Sequence, residues 1–198
     1  MRIVNRGHSL AEILVVLALA AVSLGLTLPA LGRARSRAAA GAAARRIATL
    51  LHAQRWRSVT VGEAHGLLFE RDDGGWTWLE VRDGNRNGLR TREIRNGIDP
   101  ILSGPHRLDA STPGATPGFP PGGPFPEIPP GRGGIDPVGD PIRFGNSNLV
   151  SFGPLGTASS GRIYLTDGRS ELYAVVLFGQ TSRVRIWRLD PESKQWRM

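Results

Sequence analysis

Cysteine is absent from the 198 residues, which excludes a disulfide framework, a thiolate zinc site and a cysteine nucleophile. Lysine is almost absent as well: Lys194 stands alone against 24 arginines. With 25 basic and 17 acidic side chains the formal charge is +8, carried by guanidinium groups that suit phosphates and carboxylates and also serve solubility. Catalytic groupings are missing too. His8, His52, His65 and His106 are scattered without metal-ligand spacing, no Gly-x-Ser-x-Gly elbow occurs, and the acids fall on turns. The chain therefore reads as a protein that is not an enzyme, with no metal and no cofactor. What it has in excess is Gly 26 and Pro 15, so part of its length cannot be packed helix or sheet. At 40% hydrophobic and 21% charged, the rest is compatible with a folded core.

Near the N-terminus, Ile13 to Gly32 runs without a charge, long enough as a helix to span ~30 Å of hydrocarbon. A single transmembrane helix is the first expectation. A cleavable secretory signal is its rival, because Arg2 and Arg6 make a basic leader and Ala18-Leu19-Ala20 is a small-residue site. Glu12 argues against that rival, since a carboxylate at the start of an apolar run is kept where it finds a partner. Pro29 should kink the helix by removing one backbone donor. Beyond it, helix-forming composition continues to about Ser58, with Ala43, Ile47, Leu50 and Leu51 as an apolar stripe. Arg33, Arg35, Arg37, Arg45, Arg46, Arg55 and Arg57 lie in this stretch without an acid among them, a footprint for nucleic acid, lipid headgroups or plain solvent.

From Ser58 the pattern changes to short β-favouring runs separated by turn chemistry. Ser58 to Val61, Gly66 to Arg71 and Trp76 to Val81 read as strands, the last two joined through Asp72-Asp73-Gly74-Gly75. Asn148 to Phe152, Gly161 to Thr166, Glu171 to Phe178 and Ser182 to Leu189 read as a four-stranded meander. Between the two groups, residues 104–144 are rich in proline and glycine and predict a long surface loop with little bearing on the core. A polyproline recognition segment around Phe119-Pro120-Pro121 and Pro124-Phe125-Pro126 is the alternative.

Gly7-His8-Ser9-Leu10-Ala11-Glu12, placed directly before the apolar run, resembles the class III signal of type IV prepilins and pseudopilins. The order of a long N-terminal helix and a β domain ending in Phe152-Gly153-Pro154-Leu155-Gly156, Gly161-Arg162-Ile163-Tyr164-Leu165 and Arg183-Val184-Arg185 resembles the GspH/FimT family of minor pseudopilins and minor pilins. That resemblance implies an α+β, pilin-like fold: a long kinked N-terminal helix, transmembrane in its first half, packed on a small antiparallel β domain. It divides the chain into a leader (1–7), a transmembrane helix (8–32), an amphipathic continuation (33–58) and a periplasmic β domain (59–198) carrying the insertion. It also implies cleavage by a prepilin peptidase between Gly7 and His8, methylation of the His8 amine, and Glu12 as the glutamate that sets register between packed helices. His8 departs from the phenylalanine usual at that position.

The function implied is that of a structural subunit of the pseudopilus in a type II protein secretion system, a single-pass inner-membrane protein whose partners are other pseudopilins and exported cargo. The positive-inside count, with five arginines close after the span, favours the opposite orientation. A FimT-like minor pilin that binds DNA during uptake is the alternative. Loss of Arg2 and Arg6 with the leader would lower the charge from +8 only to +6.

Two constellations remain. Arg183, Arg185 and Trp187 share one face of a strand, with Arg188 and the C-terminal Lys194, Trp196 and Arg197 beside them. Such a group can grip phosphates and stack on a base, or merely keep an edge strand soluble. Asp83-Gly84-Asn85-Arg86-Asn87-Gly88 matches the first half of a calcium loop, but Glu93 falls one residue before the closing position. A tight Asx/Gly turn is its ordinary reading.

Overall fold

The computed structural model describes residues 10–136 and 139–198, without the side chains of 24–33 and Ser36. It divides into two compact units, Met1–Ser36 and Arg37–Met198. Helix α1 (Leu10–Val61) runs through both and passes Pro29 without a break. In the first unit, Leu10, Ile13, Leu14, Val15, Val16, Leu17, Leu19 and Val22 are all exposed.

In the second unit, Ala40, Ala43, Ala44, Ile47, Ala48 and Leu51 form one buried stripe of α1, recurring every three to four residues as a helix requires. Leu50, expected in this stripe, is only partly buried at its margin. The helix ends at Val61 because Gly62 takes the left-handed conformation (φ 75°) and donates its N–H to Ser58 O at 3.0 Å, an ending that glycine makes without a Cβ penalty. The buried Ser58 hydroxyl donates to the carbonyls of Phe152 and Glu63. Residues 58–61, expected as a strand, are thus the last turn of α1.

Two main sheets follow. Strands β1 (His65–Asp72) and β2 (Gly75–Arg82) form a hairpin in which Asp72 faces Gly75. After α2 (Thr91–Arg95) comes β3 (Ile101–Arg107), then α3 (Leu108–Ser111) and the short strands β4 (Thr116–Pro117), β5 (Phe125–Pro126) and β6 (Gly134–Ile135). Next are β7 (Ile142–Phe144), β8 (Leu149–Phe152), β9 (Gly161–Thr166), β10 (Leu172–Phe178), β11 (Arg183–Leu189) and β12 (Trp196–Arg197). The first sheet has the order β3-β2-β1-β8; the second is β12-β11-β10-β9-β4, with β7 also on β9; β5 and β6 pair separately. The α1 stripe, Leu67 and Phe69 of β1, Trp78 of β2, Val150 and Phe152 of β8, and Ile163, Leu165, Val175 and Leu177 of the second sheet share one core.

The fold expectation needs correction. The architecture is mostly antiparallel sheet, and among the described residues no helix is long and apolar enough to cross a membrane. The half of α1 from Arg33 onward is punctuated by arginines and buries an alanine-rich stripe on the sheets, and Glu12 stands in the first turn of the helix, a carboxylate that is costly in hydrocarbon. The transmembrane segment at 8–32 and the single-pass inner-membrane placement with a periplasmic C-terminal domain are therefore not supported.

The Pro/Gly-rich segment also behaves differently from the surface loop expected. Strands β4 and β7, both inside it, pair with successive halves of β9. Phe125 and Ile135 are buried with Tyr164, Leu172, Ala174, Trp187, Leu189 and Trp196 in a second core on the other face of the second sheet. The indole N–H of Trp196 donates to Pro126 O at 2.8 Å.

Candidate functional site

Strand β11 is placed by its pairing with β10, which sets Phe178 opposite Arg183, Leu177 opposite Val184 and Val176 opposite Arg185. Alternation then turns Val184 and Ile186 toward the main core and Arg183, Arg185 and Trp187 to the other face. Arg183 is exposed and Arg185 half-buried, its guanidinium 5.4 Å from the centre of the Phe178 ring, a cation–π contact. The turn between the strands is fixed from below. Gly179 N–H donates to Ser160 Oγ at 3.0 Å, Gly179 O accepts from Ala158 N–H at 2.9 Å, and a Cβ on Gly179 would stand 2.3 Å from Ala158 O. Ser182 is buried in the left-handed conformation (φ 50°), its hydroxyl donating to Gly156 O.

Along this strand lies a groove of ≈ 680 Å³. One wall is Arg183, Val184 and Arg185 with the turn at Gly179, Gln180 and Thr181; the other is His52 and Arg55 of α1. A smaller hollow of ≈ 220 Å³ continues it over His52, Arg55, Trp56 and Val59, four residues at helical spacing on one face. Trp56 is 71% exposed. The lining contains arginine, histidine, hydroxyl and apolar side chains and no carboxylate, so its field attracts anions. Of the α1 wall, Arg55 belongs to the arginine run noted in the sequence, whereas Trp56 and Val59 were not singled out, although the spacing of 52, 55, 56 and 59 signals a shared helix face.

Arg188 stands apart from this groove. Its guanidinium donates to both oxygens of the buried Glu171, at 2.9 and 3.3 Å, and Glu171 also accepts from Arg37 of α1 at 3.4 Å. Of the three arginines singled out for DNA, Arg183 and Arg185 share the groove and Arg188 is engaged in this cluster. Gly7 and His8 lie outside the described residues. Glu12 sits in the first turn of α1, where a carboxylate is favoured by the helix dipole.

The Asp83 loop is closed by its own hydrogen bonds. Asp83 accepts the backbone N–H groups of Asn85, Arg86 and Gly88, and Glu93 accepts from the side-chain amides of Asn85 and Asn87. Asp99, which the sequence reading passed over, accepts from Gly84 and Arg90 N–H. The side chains expected as calcium ligands are therefore engaged by backbone N–H groups and by Glu93. Among the described residues no group of three or more acids or histidines could hold a metal. No protein-family model, curated protein or solved structure matches the chain.

Proposed function

We propose that the chain is a structural subunit of a pilin-like filament, of the minor pseudopilin kind, and works by packing rather than catalysis. The observation that carries the reading is the N-terminal part of α1: Leu10, Ile13, Leu14, Val15, Val16, Leu17, Leu19 and Val22 are exposed on every side of the helix. Contiguous apolar surface of this extent marks an interaction site, and a helix apolar all round is stable when surrounded. Neighbouring subunit helices would supply that surrounding. Glu12, one turn from the start, would pair with the amine of an adjacent subunit and so fix the axial stagger. The resemblance of Gly7-His8-Ser9-Leu10-Ala11-Glu12 to a prepilin signal supports the same role and makes the chain a substrate of a prepilin peptidase.

Mass spectrometry of the chain recovered from cells expressing such a peptidase tests the reading. A mature terminus at His8, carrying one methyl group, is expected; retention of the leader or any other terminus overturns it.

A further inference from the structure

We propose that the groove between α1 and β11 binds an extended, acidic polypeptide segment, which adds to β11 as a further strand. The inference stands on the second unit alone and does not depend on the filament reading. It begins from the unequal edges of the second sheet. The β9 edge is covered along its length, by β4 at Thr166 and Leu165 and by β7 from Ile163 to Gly161. The opposite edge is covered by β12 only at Arg188 and Leu189. From Arg183 to Trp187, among the described residues, β11 has no strand on the side away from β10.

An open edge is a row of unpaired N–H and C=O groups that templates another chain. Proteins commonly blunt such edges by shortening or covering them, yet β11 is seven residues long and α1 borders the edge as the wall of a groove. Main-chain pairing would supply affinity, and the walls would supply selectivity. Arg183 and Arg185 stand on the face of β11 turned from the main core and Arg55 on the α1 side, with no carboxylate among the described lining residues, so acidic side chains on either face of an added strand would meet a guanidinium group. Trp56 and Val59 offer an apolar shelf for the side chains between them. A polypeptide fits better than a nucleic acid for two reasons. The row of backbone groups matches another strand rather than a sugar-phosphate chain, and the Arg185 guanidinium is held over Phe178.

The test uses the full-length chain in a mild detergent and a short fluorescent peptide alternating glutamate with valine. Four competitors accompany it: the same peptide with glutamine for glutamate, the glutamate peptide N-methylated at its odd-numbered or at its even-numbered backbone amides, and a short duplex DNA. The glutamate peptide should bind and lose roughly tenfold or more in affinity in Arg55→Ala with Arg183→Ala. Both substitutions change side chains outside the core and should leave the circular dichroism spectrum unchanged. Trp56→Ala should weaken binding independently of salt. Equal binding of the glutamine peptide, or of one N-methylated form together with the other, overturns the charge or the strand-addition part respectively. Absence of peptide binding means that the arginines only guard the edge, and binding of duplex DNA alone makes the groove a nucleic-acid site; either result overturns the proposal.

Discussion

Arg188 closes on Glu171 with two hydrogen bonds, Nε to Oε2 at 2.9 Å and Nη2 to Oε1 at 3.3 Å, while the Glu171 side chain is only 5% exposed. The pair joins β11 to the residue just before β10, and Arg37 of α1 reaches the same carboxylate at 3.4 Å. One carboxylate thus ties the helix to the sheet. Its two cations are not equivalent, since the Arg37 side chain is 58% exposed against 25% for Arg188, and exposed pairs contribute little.

Arg188→Ala should therefore destabilise the chain by about 2–3 kcal/mol, because it leaves a buried carboxylate without its main partner. Arg37→Ala should cost less than about 1 kcal/mol. Urea unfolding of both variants checks the contrast. Equal costs would show that Arg188 does not hold Glu171 in the way its geometry implies. Neither substitution should alter binding in the β11 groove.

Phe125→Ala tests the second core. A free surface loop would tolerate the change, whereas a ring packed with Phe119 and the buried Tyr164 and Trp196 should cost about 3 kcal/mol, the lower end for a buried phenylalanine. The midpoint of urea unfolding should fall accordingly, and a change under about 0.5 kcal/mol would mean that the segment contributes no core.

These two sites show where the sequence was legible. The β1-β2 hairpin could be read because Asp72-Asp73-Gly74-Gly75 is strong turn chemistry between alternating runs, and β9 to β11 because β-branched and aromatic residues recur with period two. The α1 stripe was visible through its spacing. The Pro/Gly-rich segment was not, since its buried residues Phe125 and Ile135 belong to two-residue strands with no periodicity to detect. Their partners Tyr164 and Trp196 are distant in sequence. The end of α1 was missed for a related reason: Val59, Thr60 and Val61 favour strands locally, but capping by Gly62 and the buried Ser58 decides for helix. In the groove, Arg183 and Arg185 could be placed on one face by alternation. Their meeting with Arg55 and Trp56 depends on packing that no local pattern encodes, as does the capture of Arg188 by Glu171.

Gln54 is fully buried on α1, and among the described residues neither its amide oxygen nor its nitrogen has a hydrogen-bond partner. Burying an unsatisfied amide costs free energy that a thioether or alkyl chain of similar size does not. Gln54→Met should raise stability by about 1–3 kcal/mol, seen as a higher thermal midpoint. A lower midpoint in both Gln54→Met and Gln54→Leu would show that the amide is held by a partner in solution.

Asp167 gives the chain a defined response to acid. Burial pulls its carboxyl upward, and Oδ2 is enclosed without a hydrogen-bond partner among the described residues. Oδ1, however, accepts the backbone N–H groups of Arg169, Ser170 and Glu171 at 2.9, 3.0 and 3.0 Å, and together these donors hold the group below its ordinary value of 3.8. Asp190 is lowered in the same way, by the N–H groups of Glu192 and Ser193. Since the folded value lies below the unfolded one, the fold favours the ionised form. The stabilisation is complete above about pH 4–5 and is lost as the pH falls through the lowered folded value. Asp167→Asn keeps an acceptor for the turn but cannot titrate. The variant should start less stable near neutrality and lose less on acidification, so that the two urea midpoints converge as the pH falls below the ordinary carboxylate range. Midpoint curves that stay parallel through that fall would show that the Asp167 turn takes no part in acid unfolding.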